Sequence, residues 1–106
     1  MESVANEAEE IYQRLIRKKS VVGVMVFNEN GMRTSMDNAT TVEIANSLVP
    51  LNELARKTVQ DLDPENDLVF FRIRTMKNEM MIGVGEDNLY IVIQDARFIR
   101  TPLSAQ

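Results

Sequence analysis

The chain has 106 residues, of which 44% are hydrophobic and 26% charged, and its formal net charge is −4. This length holds one ordinary domain with one core, and the composition is that of a globular protein rather than a disordered or fibrous one. The acidic balance argues against general affinity for nucleic acid or anionic membranes, so we expect neither as a partner and predict a protein partner instead.

Histidine and cysteine are both absent. Their absence removes the most common general base, the thiolate nucleophile, and the imidazole and thiolate ligands of metals. We therefore predict a protein that is not an enzyme, with no catalytic residues, no cofactor and no metal site. The first 15 residues are acidic and lack an uninterrupted apolar stretch, so we expect no signal peptide and an intracellular location.

The first predicted element is a helix over residues 3–18. Apolar side chains recur there at helical spacing, at Val4, Ala8, Ile11 and Leu15. Acidic residues come early in this segment and basic residues crowd its end, which is the distribution that the helix macrodipole favours.

The next segment predicts a β-hairpin. Residues 21–27 are an apolar run rich in β-branched side chains, and residues 32–36 form the second strand. We expect Asn30 and Gly31, which lie between the strands, to supply the positive φ values that tight hairpin turns need.

A long second helix is predicted over residues 40–62. Its apolar positions are spaced by three and four, at Ile44, Leu48, Leu51, Ala55, Val59 and Leu62. Thr40 and Glu43 fit a capping box at its start, so the glycosylation sequon that begins at Asn38 is interpreted as a coincidence. Pro50 removes one helical hydrogen bond at a cost of about 3 kcal/mol, so we expect a kink there or two shorter helices.

Three further strands are predicted over residues 68–75, 80–84 and 89–94. The connections between them are short enough for hairpins, which predicts an antiparallel meander. The element order is then α-β-β-α-β-β-β, an α/β (α+β) fold with a five-stranded, mostly antiparallel sheet. Several strands lack polar alternation, so we expect one helix on each face of this sheet.

A basic cluster is formed by Arg72, Arg74 and Lys77. The two arginines share one face of the predicted third strand with Leu68 and Phe70, because strand side chains alternate with period two. One interpretation is a solvated strand end. The other is a partner-binding surface for an acidic peptide, since arginine pairs with carboxylates through two parallel hydrogen bonds.

Beyond these patterns, residues 3–95 resemble the roadblock-type dynein light chains. The matching stretches are VVGVMVFNENG at 21–31, RTSMDNATT at 33–41, ARKTVQDLDPENDL at 55–68, FRIR at 71–74, KNEMM at 77–81 and YIVIQ at 90–94. The resemblance implies a single roadblock domain over residues 3–95, followed by a C-terminal extension over residues 96–106.

The resemblance also implies a dimer. In it the second helices pack antiparallel and the third strands pair edge to edge, so that one sheet continues across two chains. The implied interface residues are Leu48, Leu51, Ala55, Val59, Leu68 and Phe70. The partner in the dimer is either a second copy of the chain or another roadblock chain.

The function that the resemblance implies is that of a non-catalytic light chain of a dynein motor. Such a dimer binds a segment of the dynein intermediate chain and contributes to movement or transport along microtubules, in the cytoplasm or in a ciliary axoneme. The alternative is a roadblock-domain scaffold or regulator in a small-GTPase complex. Pro50 and the Gly83-Val84-Gly85 sequence depart from the commoner family pattern, which favours a diverged paralogue.

Overall fold

The computed structural model describes residues 2–98. The elements are α1 (Glu2–Ile16), β1 (Val21–Asn28), β2 (Gly31–Thr34), α2 (Asn38–Leu62), β3 (Phe70–Arg74), β4 (Asn78–Val84), β5 (Leu89–Asp95) and a 3₁₀ turn (Ala96–Phe98). This is the predicted order of a single α/β domain. The predicted extension starts with the 3₁₀ turn, and its residues 99–106 lie outside the described residues. Neither helix of the described part is long and apolar enough to cross a membrane.

The five strands form one sheet in the order β2-β1-β5-β4-β3, and every pairing is antiparallel. The predicted meander of β3, β4 and β5 is confirmed, and β5 then returns to pair with β1. Within the described residues, β2 and β3 are therefore the two edges of the sheet.

Each face of the sheet carries one helix, as predicted. Met25 of β1 packs against Leu48 of α2 in one hydrophobic cluster, while Val24 and Val26 pack against Tyr12 of α1 in another. Successive residues of β1 thus contribute to opposite cores, because strand side chains alternate between the two faces. This explains why β1 lacks polar alternation in the sequence.

The turn between β1 and β2 differs from the prediction. The turn residues are Glu29 and Asn30, since Asn28 pairs with Gly31. Among the described residues only Gly31 has a positive φ, of 149°. The Asn30 N–H donates a hydrogen bond of 2.8 Å to the Asn28 side-chain oxygen, and this local contact fixes the turn without a positive φ at Asn30.

The second helix is continuous through Pro50, so the prediction of two shorter helices was wrong. Pro50 lacks the N–H that would bond to the carbonyl of Asn46, one turn earlier. Both residues are exposed, so water reaches this carbonyl and the helix continues.

The predicted cap of α2 was also wrong. The cap is Asp37, whose carboxylate accepts a 2.7 Å hydrogen bond from the Thr40 N–H. Thr40 lies inside the first turn, and Thr41 is fully buried with its hydroxyl 2.9 Å from that of Thr34. A short acidic side chain is as good a cap as threonine, and it stands three residues earlier than the pattern suggested.

The Asp37 cap predicts a pH-dependent stability. Hydrogen bonds from the Thr40 backbone N–H, and then from its hydroxyl, hold the pKa of the Asp37 carboxyl below its ordinary value of 3.8. Because the folded pKa is lowered, this stabilisation is present above pH 3.8 and is lost as the pH falls through the folded value. Asp37→Asn keeps an acceptor but cannot titrate, so thermal unfolding should occur at a lower temperature than in the wild type near neutral pH.

Well below pH 3.8 the difference in unfolding temperature between Asp37→Asn and the wild type should shrink. Asp87→Asn, which changes an exposed carboxylate in the turn between β4 and β5, is the matched control. A difference for Asp37→Asn that stays constant across this pH range would contradict the assignment of Asp37 as a charged cap.

Candidate dimer and partner-binding surfaces

Helix α2 exposes an apolar patch, which consists of Leu51, Leu54 and Leu62. Leu54 is 61% exposed and Leu62 is 84% exposed. The three leucines are separated by three and eight residues, so they lie along one flank of the helix. Beyond the end of the helix, Val69 is exposed as well, directly before β3 begins. Exposed large apolar groups that share one flank are typical of a protein–protein contact.

The second exposed feature, besides the apolar patch, is the edge of the sheet formed by β3. β3 bonds to β4 on one side, and within the described residues no strand pairs with its other side. An unpaired strand edge offers a row of backbone donors and acceptors to another chain. The apolar patch and this edge together therefore have the composition of an interface between protein chains.

An ion pair holds the segment between α2 and β3. Arg56 Nε lies 2.9 Å from Asp67 Oδ1, and the same oxygen accepts a 2.8 Å hydrogen bond from the Leu68 N–H. These contacts, first that of Arg56 and then that of the backbone, hold the pKa of the Asp67 carboxyl below its usual range. The arginine–aspartate pair thereby fixes where the chain leaves the helix and enters the edge strand.

The structure separates the six predicted interface residues into three groups. Leu48 is 5% exposed and belongs to the core of its own chain, so the single chain leaves almost none of its side chain free for a partner. Ala55, Val59 and Leu68 are half-buried, while Leu51 and Phe70 are exposed. Leu48 lies on the side of α2 that packs on the core, whereas Leu54 lies on the flank of α2 that faces solvent.

Phe70 lies on the other face of the sheet. Phe71 and Ile73, which point to the opposite side of β3 from Phe70, pack against the core under α2. Phe70 therefore points to the α1 side, and the Arg72 guanidinium lies over its ring at 5.4 Å from the centroid. The predicted sharing of one strand face is confirmed for Phe70, Arg72 and Arg74, whereas Leu68 lies before β3 begins.

We call Arg72, Arg74 and Lys77 the cationic surface. Arg72 and Arg74 project from the α1 side of β3, and Lys77 lies in the turn between β3 and β4. The α1 helix packs over β1 and Tyr90 of β5, at some distance along the sheet. The cationic surface and the apolar patch thus belong to opposite faces of the sheet.

Glu79 is the counterion of the two arginines. Its carboxylate lies 3.4 Å from Arg72 Nε and 4.0 Å from Arg74 Nη1, and the residue is only 5% exposed. A buried carboxylate of this kind is stable only when it stays paired. Sequence reasoning missed Glu79, although its neighbours in KNEMM carried the family resemblance. Its role follows from the pairing of β3 with β4, which places Arg74 opposite Glu79.

The Roadblock/LC7 domain is the family whose model matches the chain, over residues 7–95. The matched region starts inside α1 and ends with the last residue of β5. It therefore contains the apolar patch, the free edge of β3 and the cationic surface. The match confirms the resemblance that the sequence motifs indicated.

Proposed function

Because the chain belongs to the Roadblock/LC7 domain family, we propose that it is a non-catalytic light chain of a dynein motor complex. Domains of this family occur in dynein light chains and in regulators of small GTPases, and they typically form dimers that bind partners. In the proposed complex the chain dimerises and binds a segment of the dynein intermediate chain. The complex would act along microtubules, in the cytoplasm or in a ciliary axoneme.

The observation that carries this proposal is the apolar patch beside an unpaired strand edge. Two copies related by a two-fold axis can place their α2 helices antiparallel and join their β3 edges at the same time. Both contacts then bury groups that the single chain leaves in water. The outcome is a ten-stranded sheet, twice the five strands that the described residues of one chain form.

The cationic surface supports the second half of the proposal. It lies on the face of the sheet away from α2, so a bound segment leaves the α2 contact undisturbed. Arg72 remains half in solvent and can pair with an acidic side chain of the partner while Arg74 holds Glu79. A dimer carries two such surfaces, and bivalent binding raises the apparent affinity through effective concentration.

The test of this surface is calorimetric titration with an acidic intermediate-chain peptide. The double variant Arg72→Gln/Lys77→Gln removes two charges and leaves Arg74 as partner of Glu79. We expect its affinity for the peptide to fall about tenfold, because each screened surface contact is worth about 0.5–1 kcal/mol. Raising the salt concentration should weaken wild-type binding more than binding by the variant.

The matched control is Arg14→Gln/Lys18→Gln, which removes the same charges near the end of α1. This control should bind the peptide like the wild type. Equal losses in both double variants would show a general charge effect and would contradict the assignment of the site. Binding of a small GTPase with no binding of the peptide would instead support the regulator class.

A further inference from the structure

The outer side of β3 presents backbone groups that its pairing with β4 determines. The Val69 carbonyl accepts a hydrogen bond from the Val84 N–H. The Thr75 N–H donates one to the Asn78 carbonyl. Alternate residues of an antiparallel strand bond to the same neighbour, so every second residue from Val69 to Thr75 bonds to β4. The backbone groups of the remaining residues of β3 point outward: Phe70, Arg72 and Arg74.

A two-fold axis at this edge allows few registers of β3 against a second copy. Antiparallel pairing requires that outward residues lie opposite outward residues. An axis at Arg72 places this arginine opposite itself, and an axis at Ile73 places it opposite Arg74. Like charges directly opposite each other are destabilising, so both registers are disfavoured.

An axis at Phe70 uses little of the edge. It pairs Phe70 with itself and Arg72 with Leu68. The Leu68 N–H already donates a 2.8 Å hydrogen bond to Asp67 Oδ1, so Leu68 offers only its carbonyl to another chain. Arg74 comes opposite the connection between α2 and β3, where no strand can receive its outward groups. Phe70 alone would then exchange both backbone hydrogen bonds with its partner residue.

An axis at Phe71 suits the side chains on both faces of the sheet. On the α1 side it places Phe70 opposite Arg72 of the partner subunit, and this pair can exchange both backbone hydrogen bonds. Within one chain Arg72 already lies over the Phe70 ring, so the same kind of contact can form between chains. On the α2 side it places Val69, which is 70% exposed, opposite Ile73 of the partner subunit. An axis at Arg72 would instead leave Val69 opposite Thr75.

We propose, on the basis of the dimer proposed above, that the two β3 strands pair with Phe71 opposite its own copy. The contact between Phe70 of one chain and Arg72 of the other selects this register and occurs on each side of the axis. The two Arg72 residues then lie on a diagonal, about 7–8 Å apart rather than about 5.5 Å. Another chain can compete for this edge only if it presents a cation opposite Phe70 and an aromatic or acidic side chain opposite Arg72.

Disulfide cross-linking tests the register, because the chain contains no cysteine and introduced thiols are the only ones present. A mixture of Val69→Cys with Ile73→Cys places two thiols opposite each other. Their Cα atoms should be about 4.5 Å apart, which a disulfide can span. Val69→Cys mixed with Thr75→Cys is the matched control and reports an axis at Arg72. Under mild oxidation the first mixture should form the linked heterodimer at least about tenfold faster than the control.

The other results of this experiment would overturn the register. Faster cross-linking of the control would place the axis at Arg72, and faster cross-linking of Val69→Cys with Phe71→Cys would place it at Phe70. An absence of cross-linking in every mixture, while the variants sediment as dimers, would also overturn it. A wild-type chain that sediments as a monomer would contradict the proposed function itself, so the two failures are distinguishable.

A matched pair of variants tests the contact between Phe70 and Arg72 without thiols. Phe70→Arg places two cations opposite each other and should raise the Kd of the dimer at least about tenfold. Phe70→Glu removes the same ring but offers a carboxylate to Arg72, so its Kd should stay within about threefold of the wild-type value. Both variants should fold, since Phe70 is 48% exposed within one chain. Equal weakening of the dimer by both variants would overturn the assignment of Arg72 as the residue opposite Phe70.

Discussion

Leu54→Glu is expected to convert the proposed dimer into a folded monomer. In the proposed dimer the apolar patches of two chains face each other, so the substitution buries one unpaired carboxylate from each chain. Together the two charges should cost about 3 kcal/mol or more, which raises the Kd of the dimer by about 100-fold. The fold of the single chain should survive, because Leu54 is already largely exposed within one chain.

Sedimentation velocity over a range of protein concentrations measures this change. Met32→Glu is the control, since Met32 is an exposed apolar residue of β2, at the opposite edge of the sheet. The control should dimerise like the wild type. A Leu54→Glu variant that dimerises with an unchanged Kd would show that α2 is not the interface.

Arg72→Gln/Arg74→Gln is expected to destabilise the fold, and Glu79→Gln is expected to restore most of the loss. Removing both arginines leaves a carboxylate that is 5% exposed without a counterion. Breaking a buried ion pair from one side costs about 3–5 kcal/mol. We expect the lower end of this range, because Arg72 is half in solvent and screening weakens its contribution.

Urea denaturation measures the free energy of unfolding of the wild type and of each of these variants. The triple variant replaces the stranded carboxylate by a neutral amide, so its free energy of unfolding should return close to that of the wild type. Arg14→Gln/Arg17→Gln removes two exposed arginines at the end of α1 and should change the stability little. If the triple variant is no more stable than the double variant, Glu79 is not the counterion that the geometry indicates.

The ion pair of Glu79 also bears on binding. Arginines that already hold an internal carboxylate are ordered before a partner arrives, so less side-chain entropy is lost when an acidic segment binds. The same pairing reduces the positive charge that the partner meets. Arg72 and Arg74 are thus ordered and partly neutralised, which would suit the proposed binding of a segment by two weak sites rather than one strong site.

The order of elements and the placement of one helix on each face followed from the sequence because both depend on periodicity. The helical spacing of apolar residues in 40–62 and the apolar run of residues 21–27 show directly which positions are buried. The antiparallel meander followed from short connections, which leave consecutive strands no other arrangement. These features are set by local rules and by the need to cover both faces of the sheet.

Helix boundaries and the residues of the surface sites were harder to predict from the sequence. At each of them several similar side chains could fill the same role, and only the folded chain decides which one does. Asp37 and Thr40 both suit a cap, and only the path of the chain from β2 decides between them. Leu48 and Leu54 both suit a helical stripe, yet the first lies over the sheet and the second faces solvent. The buried polar residues Asn52 and Glu79 give no periodic signal at all, and their environments come from strands and turns distant in sequence.

In the proposed assembly this chain dimerises and holds two segments of the dynein intermediate chain. The most direct measurement is sedimentation velocity of the full chain, alone and with an intermediate-chain fragment, with the masses of the species determined. We expect a dimer when the chain is alone and a complex of two chains with two fragments when the fragment is added. A chain that stays monomeric at high concentration and does not bind the fragment would contradict it.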